Sequence, residues 1–441
     1  MLQFGILRWE GGRNAKGRDL IYKAYEVVRK STRPMAKLLD VCHDVARHEL
    51  NPLRNTYLNR AIATACEVPL RGLTDYGKQP YAVRGMADGN EAILEERLVH
   101  SLPFADLLNF KVDGADAKPK VLIAAALSGH HATLLQDTIR GFARDFDPYI
   151  TDWKDAREVP LEAGDFGLDD YIAYLIEFLE VLGPGTHLVA TCQAAPPAMV
   201  AAAVLAKRNP ELVPASLTLM AGPVDTRINP VIINKITNVV PFELMRKTNI
   251  HKIPSGFPGS GRRVYPGFYQ LSGFIMMNPV PHVKKYLQFV KDSVKGDEAS
   301  TDFFRNFYNE YLAVLDMTES FYMESLRKIF FEHHIPKGEM TFRGELVDFG
   351  AIRDMALLTV EGGNDGFCPP GQTEAAHAII PNIPQDKRQQ YIQEGVGHYG
   401  VFSGSRFQNA IYPVIRDFIG KTEAALDYPR PHFAEKSAVH S

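Results

Sequence analysis

Cysteine is scarce in this sequence, and long apolar runs are missing. Four cysteines among 441 residues show no C-x-x-C spacing, which argues against both a disulfide framework and a structural zinc site. The longest apolar runs, 121–127 and 198–206, are too short to cross a bilayer as helices. Arg8 and Glu10 interrupt the apolar start, so we predict no signal peptide, no membrane span and a cytoplasmic protein.

An excess of positive charge is also missing. The formal net charge is −3, and no basic stripe of the size that nucleic acid requires is present, so we predict no nucleic-acid binding. The balance of 45% hydrophobic and 23% charged residues indicates a folded chain rather than a disordered one. One group of lysines is interpreted as the solvent face of a helix: Lys284, Lys285, Lys291 and Lys295.

Residues 1–100 are predicted to form a helical N-terminal extension. Apolar residues such as Leu20, Ala24 and Val28 recur there at helical spacing. Pro34 and the Asn-Pro step at 51–52 are expected to divide the extension into separate helices. We expect it to support the core or to form the contact of a homo-oligomer.

From residue 101 short apolar strands alternate with helical segments, which predicts an α/β fold with a mostly parallel sheet. We assign residues 101–225 and 346–428 to the two parts of this core, and 429–441 to a flexible tail. The predicted strands are 120–127, 148–153, 187–191, 215–220, 355–361 and 389–393.

Residues 226–345 do not fit the sheet pattern, so they are predicted to be a helical cap inserted into the core. Between residues 257 and 331, 16 of 75 residues are Phe or Tyr, about twice the aromatic share of the whole chain. Most of these are interpreted as the core of the cap. The excess also permits an apolar lid over a site.

Residues 185–207 carry the clearest catalytic signal. An apolar strand runs into a small-residue turn that contains Cys192, and an alanine-rich helical segment follows. This is the order of a nucleophile elbow, in which G-x-S-x-G is usual and Ala190, Cys192 and Ala194 stand here. On its own, a cysteine after a strand is more often an inert core residue.

Two later loops supply the partners that a thiol nucleophile needs, in the chain order nucleophile, acid, histidine. Asp365 and His398 each follow a predicted strand in the second part of the core. Asp225, after the last strand before the insertion, is the alternative acid. Asp348 and Asp354 precede a strand and therefore face the opposite edge of the sheet.

Several further residues are interpreted as structural. Cys368 lies near the acid but has no elbow around it. The pairs His130–His131 and His333–His334 lack a third ligand at metal spacing, and adjacent side chains diverge, so no metal or cofactor is predicted. The glycines of 255–261 follow no strand and form a loop rather than a phosphate cradle.

The oxyanion hole of such an enzyme uses two backbone N–H groups. By position they belong to Gln193, directly after the nucleophile, and to His130, in the loop after the first buried strand. Ser128, Gly129 and His131 of that loop are candidate substrate-binding residues.

Seven short motifs carry a family resemblance. They are S-G-H-H-A-T-L-L (128–135), Y-I-T-D-W (149–153), D-D-Y-I (169–172), the Cys192-Gln193 elbow, A-G-P-V-D-T-R (221–227), V-E-G (360–362) with Asp365, and G-H-Y-G (397–400). Over nearly the whole chain they resemble the intracellular polyhydroxyalkanoate depolymerases, chiefly those acting on poly(3-hydroxybutyrate). The resemblance implies a cysteine-dependent α/β-hydrolase that attacks polyester storage granules, with Cys192, Asp365 and His398 as its triad.

The predicted reaction is acyl transfer through a cysteinyl acyl-enzyme that water or coenzyme A resolves. A polyester synthase remains an alternative, although its elbow usually keeps a glycine where Ala194 stands here. The sequence is also compatible with an esterase for small substrates and with a non-catalytic protein that coats granules.

Overall fold

A single eight-stranded sheet carries the core of the molecule. The computed structural model describes residues 15–87, 90–111, 118–231, 239–277 and 279–426. The sheet strands are β1 Glu95–Ser101, β2 Ala105–Lys111, β3 Lys120–Ala124, β4 Asp147–Trp153, β5 His187–Thr191, β6 Ser216–Met220, β7 Ala356–Gly362 and β8 Arg388–Gln393.

The strand order is β1-β2-β4-β3-β5-β6-β7-β8. Strand β2 pairs antiparallel with β1 and β4, and the other pairings are parallel. Every residue of β5 is buried, and since neighbouring residues of a strand face opposite sides, both faces of the sheet are covered there. This order, with a sharp turn after the fifth strand, is the α/β-hydrolase fold, and the predicted fold class is confirmed.

The helices precede, cover or interrupt this sheet. They are α1 Ala15–Arg47, α2 Tyr57–Leu73, α3 Gln136–Phe142, α4 Leu168–Leu182, α5 Ala195–Arg208, α6 Phe242–Asn249, α7 Gly267–Met277, α8 Pro279–Lys295, α9 Glu298–Leu312, α10 Glu319–Ser325, α11 His334–Lys337, α12 Ala376–Ile379, α13 Gly404–Arg406 and α14 Tyr412–Ala425. Short antiparallel pairings outside the sheet join Arg84–Ala87 to Asn90–Ile93, Arg263–Tyr265 to His251–Lys252 and Met317–Thr318, and Thr341–Phe342 to Glu345–Leu346.

The prediction that Pro34 ends a helix is wrong. Helix α1 continues through it to Arg47, and the chain reverses only at the loop that contains Pro52. Ser31 and Thr32 both donate their hydroxyls to the carbonyl of Val28, at 2.8 and 3.0 Å. The helix is also exposed at this turn, so water reaches the carbonyl that the missing proline N–H leaves unbonded.

The sheet also begins earlier than the sequence predicted. Strand β1 begins at Glu95, in the segment that the sequence predicts to be helical, and pairs with β2, which the sequence also did not predict as a strand. Its first residues, Glu95, Glu96 and Arg97, are charged and mostly exposed. This is the composition of a protected edge strand, and because it lacks apolar alternation, no strand pattern is visible in the sequence.

The segment between β6 and β7 covers the carboxyl ends of the sheet strands. Leu315 donates its backbone N–H to the carbonyl of Gly129, in the loop after β3, over 2.8 Å. Phe274 of α7 contacts Phe367, in the loop after β7, with ring centroids 5.6 Å apart. This segment therefore lies over the edge of the sheet where open α/β folds carry their sites.

The N-terminal helices pack against this covering segment. Helix α1 contacts α2, and α2 contacts α8. One side of α1 leaves apolar side chains exposed: Ile21, Val28, Met35, Leu38 and Val45. Within the ranges given above, no helix combines the length and the apolarity needed to span a bilayer. The predicted tail at 429–441 and the start of the chain lie outside the described residues.

Candidate active site

Cys192 lies on a strained turn between β5 and α5. Its φ is +51°, in the left-handed region that residues with a Cβ rarely adopt. Residues 192–194 form one 3₁₀ turn, and Pro196 and Pro197 stand in the first turn of α5, where a missing N–H costs little. The strand before the turn is buried, whereas Cys192 is partly exposed, so the turn brings the thiol out of the sheet.

Small residues let this turn close. Ala190, Ala194 and Ala195 are completely buried. Gly222, directly after β6, approaches the turn so closely that a Cβ there would lie 2.1 Å from Cβ of Ala195 and 3.1 Å from the carbonyl oxygen of Cys192. The sequence offered Gly222 only as part of a motif, and its role in supporting the elbow is visible only in the structure.

His398 bridges Cys192 and Asp365. Its Nε2 lies 3.2 Å from Sγ of Cys192, and its Nδ1 lies 2.7 Å from Oδ2 of Asp365. Because a carboxylate only accepts hydrogen bonds, Nδ1 carries a proton and donates it, which leaves Nε2 to exchange a proton with the thiol. The three residues named as nucleophile, acid and histidine are thus brought into one hydrogen-bonded series.

The electrostatics of His398 favour its charged form. Burial alone would lower its pKa, but the negative charges and hydrogen bonds of Cys192 and Asp365 outweigh burial and raise the pKa to about 10. At neutral pH these contacts therefore favour the protonated form of His398, which can give the proton on Nε2 to a leaving group.

Asp365 is itself held by backbone donors. Its Oδ1 accepts the N–H groups of Phe367 and Cys368, at 2.8 and 2.9 Å. This turn leaves Oδ2 pointing at His398. Cys368 contributes its backbone here, and burial raises the pKa of its thiol well above the usual range, so a structural role for this cysteine agrees with its surroundings.

The alternative acids lie elsewhere. Asp225 accepts two hydrogen bonds from the Arg227 guanidinium, both at 2.8 Å. Although burial raises the pKa of Asp225, the hydrogen bonds and charge of Arg227 outweigh burial and lower it. Asp348 accepts the N–H of Gly350 at 2.9 Å.

The histidines of the two adjacent pairs each contact different partners. His130 donates through Nε2 to the carbonyl of Tyr311 at 3.1 Å, and burial lowers its pKa to about 4. His333 contacts the hydroxyl of Thr226 at 3.0 Å, and His334 contacts Glu332 at 2.8 Å. In the part of the chain that the structure describes, no three His, Cys, Asp or Glu side chains are grouped to hold a metal ion.

The loop after β3 presents a backbone N–H next to the elbow strand. Gly129 has φ of +94°, and the side chain of Gln270 occupies the space that a Cβ at this position would need. The carbonyl of Gly129 accepts from Leu315, and in a trans peptide the following N–H, that of His130, points the opposite way.

The candidate substrate-binding residues of this loop lie outside the lining of the cavity beside His398, as Cys192 does. His131 is buried, and burial lowers its pKa to about 3. Ser128 is partly buried. Among the described residues that line the cavity, none is Ser128, Gly129 or His131.

An aromatic cavity of about 470 Å³ opens beside His398. It lies between the segment that covers the sheet and the loops that carry Asp365 and His398. Aromatic residues from both sides line it: Phe274, Phe307, Tyr311, Phe367 and Tyr399. Phe367 and Tyr399 adjoin the acid and the histidine in sequence, a signal that could have identified them, whereas the remaining three depend on tertiary packing.

Residues 221–423 match the sequence model of the family described as PHB de-polymerase C-terminus. The matched region is just under half of the chain and contains Asp365 and His398. Over these residues the resemblance that the motifs indicated is confirmed.

Solved esterase and lipase structures are similar to the chain at low sequence identity. A thermophilic esterase from Thermogutta terrifontis has 15% identity and a TM-score of 0.39, covering 75% of this chain and 99% of that one. Naproxen esterase from Bacillus subtilis has 12% sequence identity and a TM-score of 0.40, and the match covers 73% of this chain and 91% of that one. Monoacylglycerol lipase from Paleococcus ferrophilus has 11% sequence identity and a TM-score of 0.40, and the match covers 69% of this chain and 96% of that one. The comparison with curated proteins gave no match.

Proposed function

We propose that this α/β-hydrolase, whose residues 221–423 form a PHB de-polymerase C-terminal region, cleaves the ester bonds of poly(3-hydroxybutyrate) through an acyl-enzyme on Cys192. The predicted enzyme class, carboxylic ester hydrolase, is confirmed. One observation carries the proposal: the series from Cys192 Sγ through His398 to Asp365, with contacts of 3.2 and 2.7 Å.

In the first step His398 takes the proton of the Cys192 thiol on Nε2, and the sulfur attacks the carbonyl carbon of an ester. The backbone N–H groups of Gln193 and His130 stabilise the oxyanion, by roughly 3 to 4 kcal/mol for each donor. His398 then gives the proton on Nε2 to the leaving alkoxide as the C–O bond breaks. The alcohol end of the chain departs, and the acyl end remains as a thioester on Cys192.

In the second step His398 takes a proton from water, and the hydroxide attacks the thioester. The C–S bond breaks, Cys192 leaves as a thiolate, and 3-hydroxybutyrate or a short oligomer is released. Asp365 holds Nδ1 protonated throughout, which keeps Nε2 available for both transfers. Coenzyme A is the alternative acceptor, and its thiol would take the place of water.

The cavity supports a polyester as the substrate. Its aromatic lining suits an apolar chain that carries methyl groups and uncharged ester groups. In this proposal residues 226–345 act as a cap whose aromatic face closes over the reacting ester, between core segments 101–225 and 346–428. Excluding water there strengthens the pairing of charges around His398.

The proposed place of action is the surface of polyester granules in the cytoplasm. The exposed apolar side of α1, formed by Ile21, Val28, Met35, Leu38 and Val45, supports contact with such a surface. Contiguous exposed apolar side chains of this kind mark interaction sites.

The test is release of 3-hydroxybutyrate from amorphous poly(3-hydroxybutyrate) granules by the wild type and by Cys192→Ala. We expect release by the wild type and a loss of at least about 1,000-fold in the variant. Equal release by both proteins would contradict a cysteine nucleophile, and no release by either would contradict the substrate. Polymer formed from 3-hydroxybutyryl coenzyme A would instead identify a synthase.

A further inference from the structure

Lys285 brings a positive charge into the aromatic cavity. It lies on α8, lines the cavity together with His398, and places its ammonium 4.5 Å from the ring centroid of Phe307. Lys285 is exposed on α8, as predicted for this group of lysines, and it also borders the cavity. Its neighbour Lys284 is exposed and is absent from the described lining.

This ammonium has no acidic partner among the described side chains. Burial lowers the pKa of Lys285, and no neighbouring carboxylate counteracts that effect. An unpaired cation beside an aromatic cavity attracts an incoming anion, and the attraction grows as a bound substrate displaces water from the cavity.

A series of ring contacts connects Lys285 to the reacting groups. Phe307 lies 6.3 Å from Tyr399, and Tyr399 lies 5.7 Å from His398, measured between ring centroids. The cation thus lies on the wall of a cavity that His398 also lines.

The neighbouring histidine does not compete for this role. His282 contacts the hydroxyl of Tyr308 at 2.8 Å through Nδ1 and that of Tyr311 at 3.4 Å through Nε2. Burial, followed by the charge of Lys285, lowers the pKa of His282. His282 is therefore neutral, and Lys285 supplies the positive charge on this wall.

We propose that Lys285 is an anion subsite that binds an oxyanion of the substrate while the scissile ester lies at Cys192. This inference rests on the proposed function. Two sources supply such a group: the free carboxylate at the end of a hydroxyalkanoate chain, and a phosphate of coenzyme A if that thiol is the acceptor. With a carboxylate bound there, cleavage occurs a short distance from the chain end and releases short products.

The test compares a soluble 3-hydroxybutyrate oligomer that has a free carboxylate with the same oligomer as its methyl ester. We expect Lys285→Gln to raise KM for the free acid about tenfold, equivalent to about 1.4 kcal/mol of binding, and to leave KM for the methyl ester unchanged. Lys285→Arg keeps the charge and should preserve the preference. Lys284→Gln, one residue away on the exposed side, is the matched control and should behave like the wild type.

A second arm identifies the source of the anion. Coenzyme A is added to the methyl ester reaction, and its effect on the rate is compared between the wild type and Lys285→Gln. If the effect of coenzyme A is lost in Lys285→Gln, and KM does not distinguish the free acid from the methyl ester, the subsite binds a phosphate of coenzyme A. If both oligomers and coenzyme A act on the two proteins alike, the inference is overturned.

Failure of the subsite is distinguishable from failure of the proposed function. Hydrolysis of the methyl ester that disappears in Cys192→Ala supports the triad whatever Lys285 does. Because Lys285 is exposed at the surface of α8, its substitution is not expected to unfold the protein, and an unchanged Tm checks this point.

Discussion

The strained backbone of Cys192 is held from both sides. Strand β5 is buried along its whole length, and α5 begins within three residues of the thiol. A left-handed residue with a Cβ costs of order 1 to 3 kcal/mol, and it persists only where the surroundings leave no alternative. The strained turn exposes the thiol of Cys192, and it can form only because the neighbouring side chains are small.

Gly222→Ala tests that dependence. The added Cβ would lie 2.1 Å from Cβ of Ala195, so either the elbow or the end of β6 must move. We expect a loss of about 1 to 3 kcal/mol in the free energy of unfolding and a fall in kcat, measured by urea denaturation and ester hydrolysis.

Gly420→Ala is the matched control for this substitution. Gly420 lies in α14, and a Cβ there meets nothing within 4 Å. Alanine favours a helix more than glycine does, so the control should be neutral or stabilising by up to about 1 kcal/mol. Equal behaviour of the two variants would contradict the close packing of Gly222 on the elbow.

Asp365→Asn tests the orientation of His398. Asparagine can keep the bonds from the N–H groups of Phe367 and Cys368, but it presents an NH₂ group to Nδ1 and favours the tautomer that protonates Nε2. We expect kcat to fall by about 100- to 10,000-fold with little change in Tm. Asp225→Asn, which removes the alternative acid, should leave kcat unchanged, and the opposite ranking of the two variants would reassign the acid.

At the scale of elements, a buried ion pair joins the N-terminal helices to the segment over the sheet. Glu67 of α2 accepts two hydrogen bonds from the Arg305 guanidinium of α9, at 2.7 and 2.8 Å. Burial would raise the pKa of Glu67, but the hydrogen bonds and charges of Arg305 and His43 outweigh it and lower the pKa to about 2. This contact ties together two elements that are far apart in the sequence.

Glu67→Gln should destabilise the protein at neutral pH. A lowered carboxyl pKa contributes stability above the unfolded value, near 4.5, and that contribution is lost as pH falls through about 2. The folded pKa of Glu67 lies roughly 2.5 below the unfolded pKa, which corresponds to about 3 kcal/mol in the free energy of unfolding. Urea denaturation at pH 7 and at pH 3 should therefore give a large difference between variant and wild type at pH 7 and a smaller one at pH 3.

Glu298→Gln is the control for this pair. Glu298 is also on α9, but its side chain is 77% exposed and lies 3.5 Å from Arg47, so solvent screens the contact. We expect no measurable change at either pH. If the loss of unfolding free energy in Glu67→Gln were the same at pH 7 and at pH 3, the ionised state assigned to the Glu67 carboxyl would be contradicted.

At the scale of the whole molecule, the catalytic cavity and the exposed apolar side of α1 are separate features. Val28, Met35 and Leu38 are each more than half exposed, while the triad is enclosed beneath another part of the chain. Binding to a granule and turnover of an ester should therefore respond to different substitutions.

Combined replacement of Val28, Met35 and Leu38 by Gln tests this separation. Burying an apolar side chain of this size contributes about 1.5 to 3 kcal/mol, so we expect at least a tenfold loss of co-sedimentation with poly(3-hydroxybutyrate) granules. Hydrolysis of a soluble ester should be unchanged. Arg33→Gln on the same helix is the control, and a shift from dimer to monomer without loss of granule binding would instead make this side a contact between copies of the chain.

The local patterns predicted six of the eight sheet strands and the small-residue turn at Cys192, and they named Cys192, Asp365 and His398, which the structure joins by hydrogen bonds. Strands buried on both faces require continuous apolar runs, and the turn at Cys192 requires small residues, so both are written in neighbouring positions. Pro34 and β1 were misjudged for a related reason: exposure to water lets a helix tolerate a proline and lets an edge strand lack apolar alternation.

Only the tertiary structure decided which groups meet. The contact of Gly222 with the elbow, the pairing of Glu67 with Arg305 and the place of Lys285 in the cavity join residues from distant elements, and their local sequences resemble ordinary turns and helix surfaces. Asp365 and Asp225 each follow a strand, and sequence order alone left both open as the acid. In the structure Asp365 contacts His398 and Asp225 pairs with Arg227, because hydrogen-bond geometry depends on how the loops pack rather than on their order in the chain.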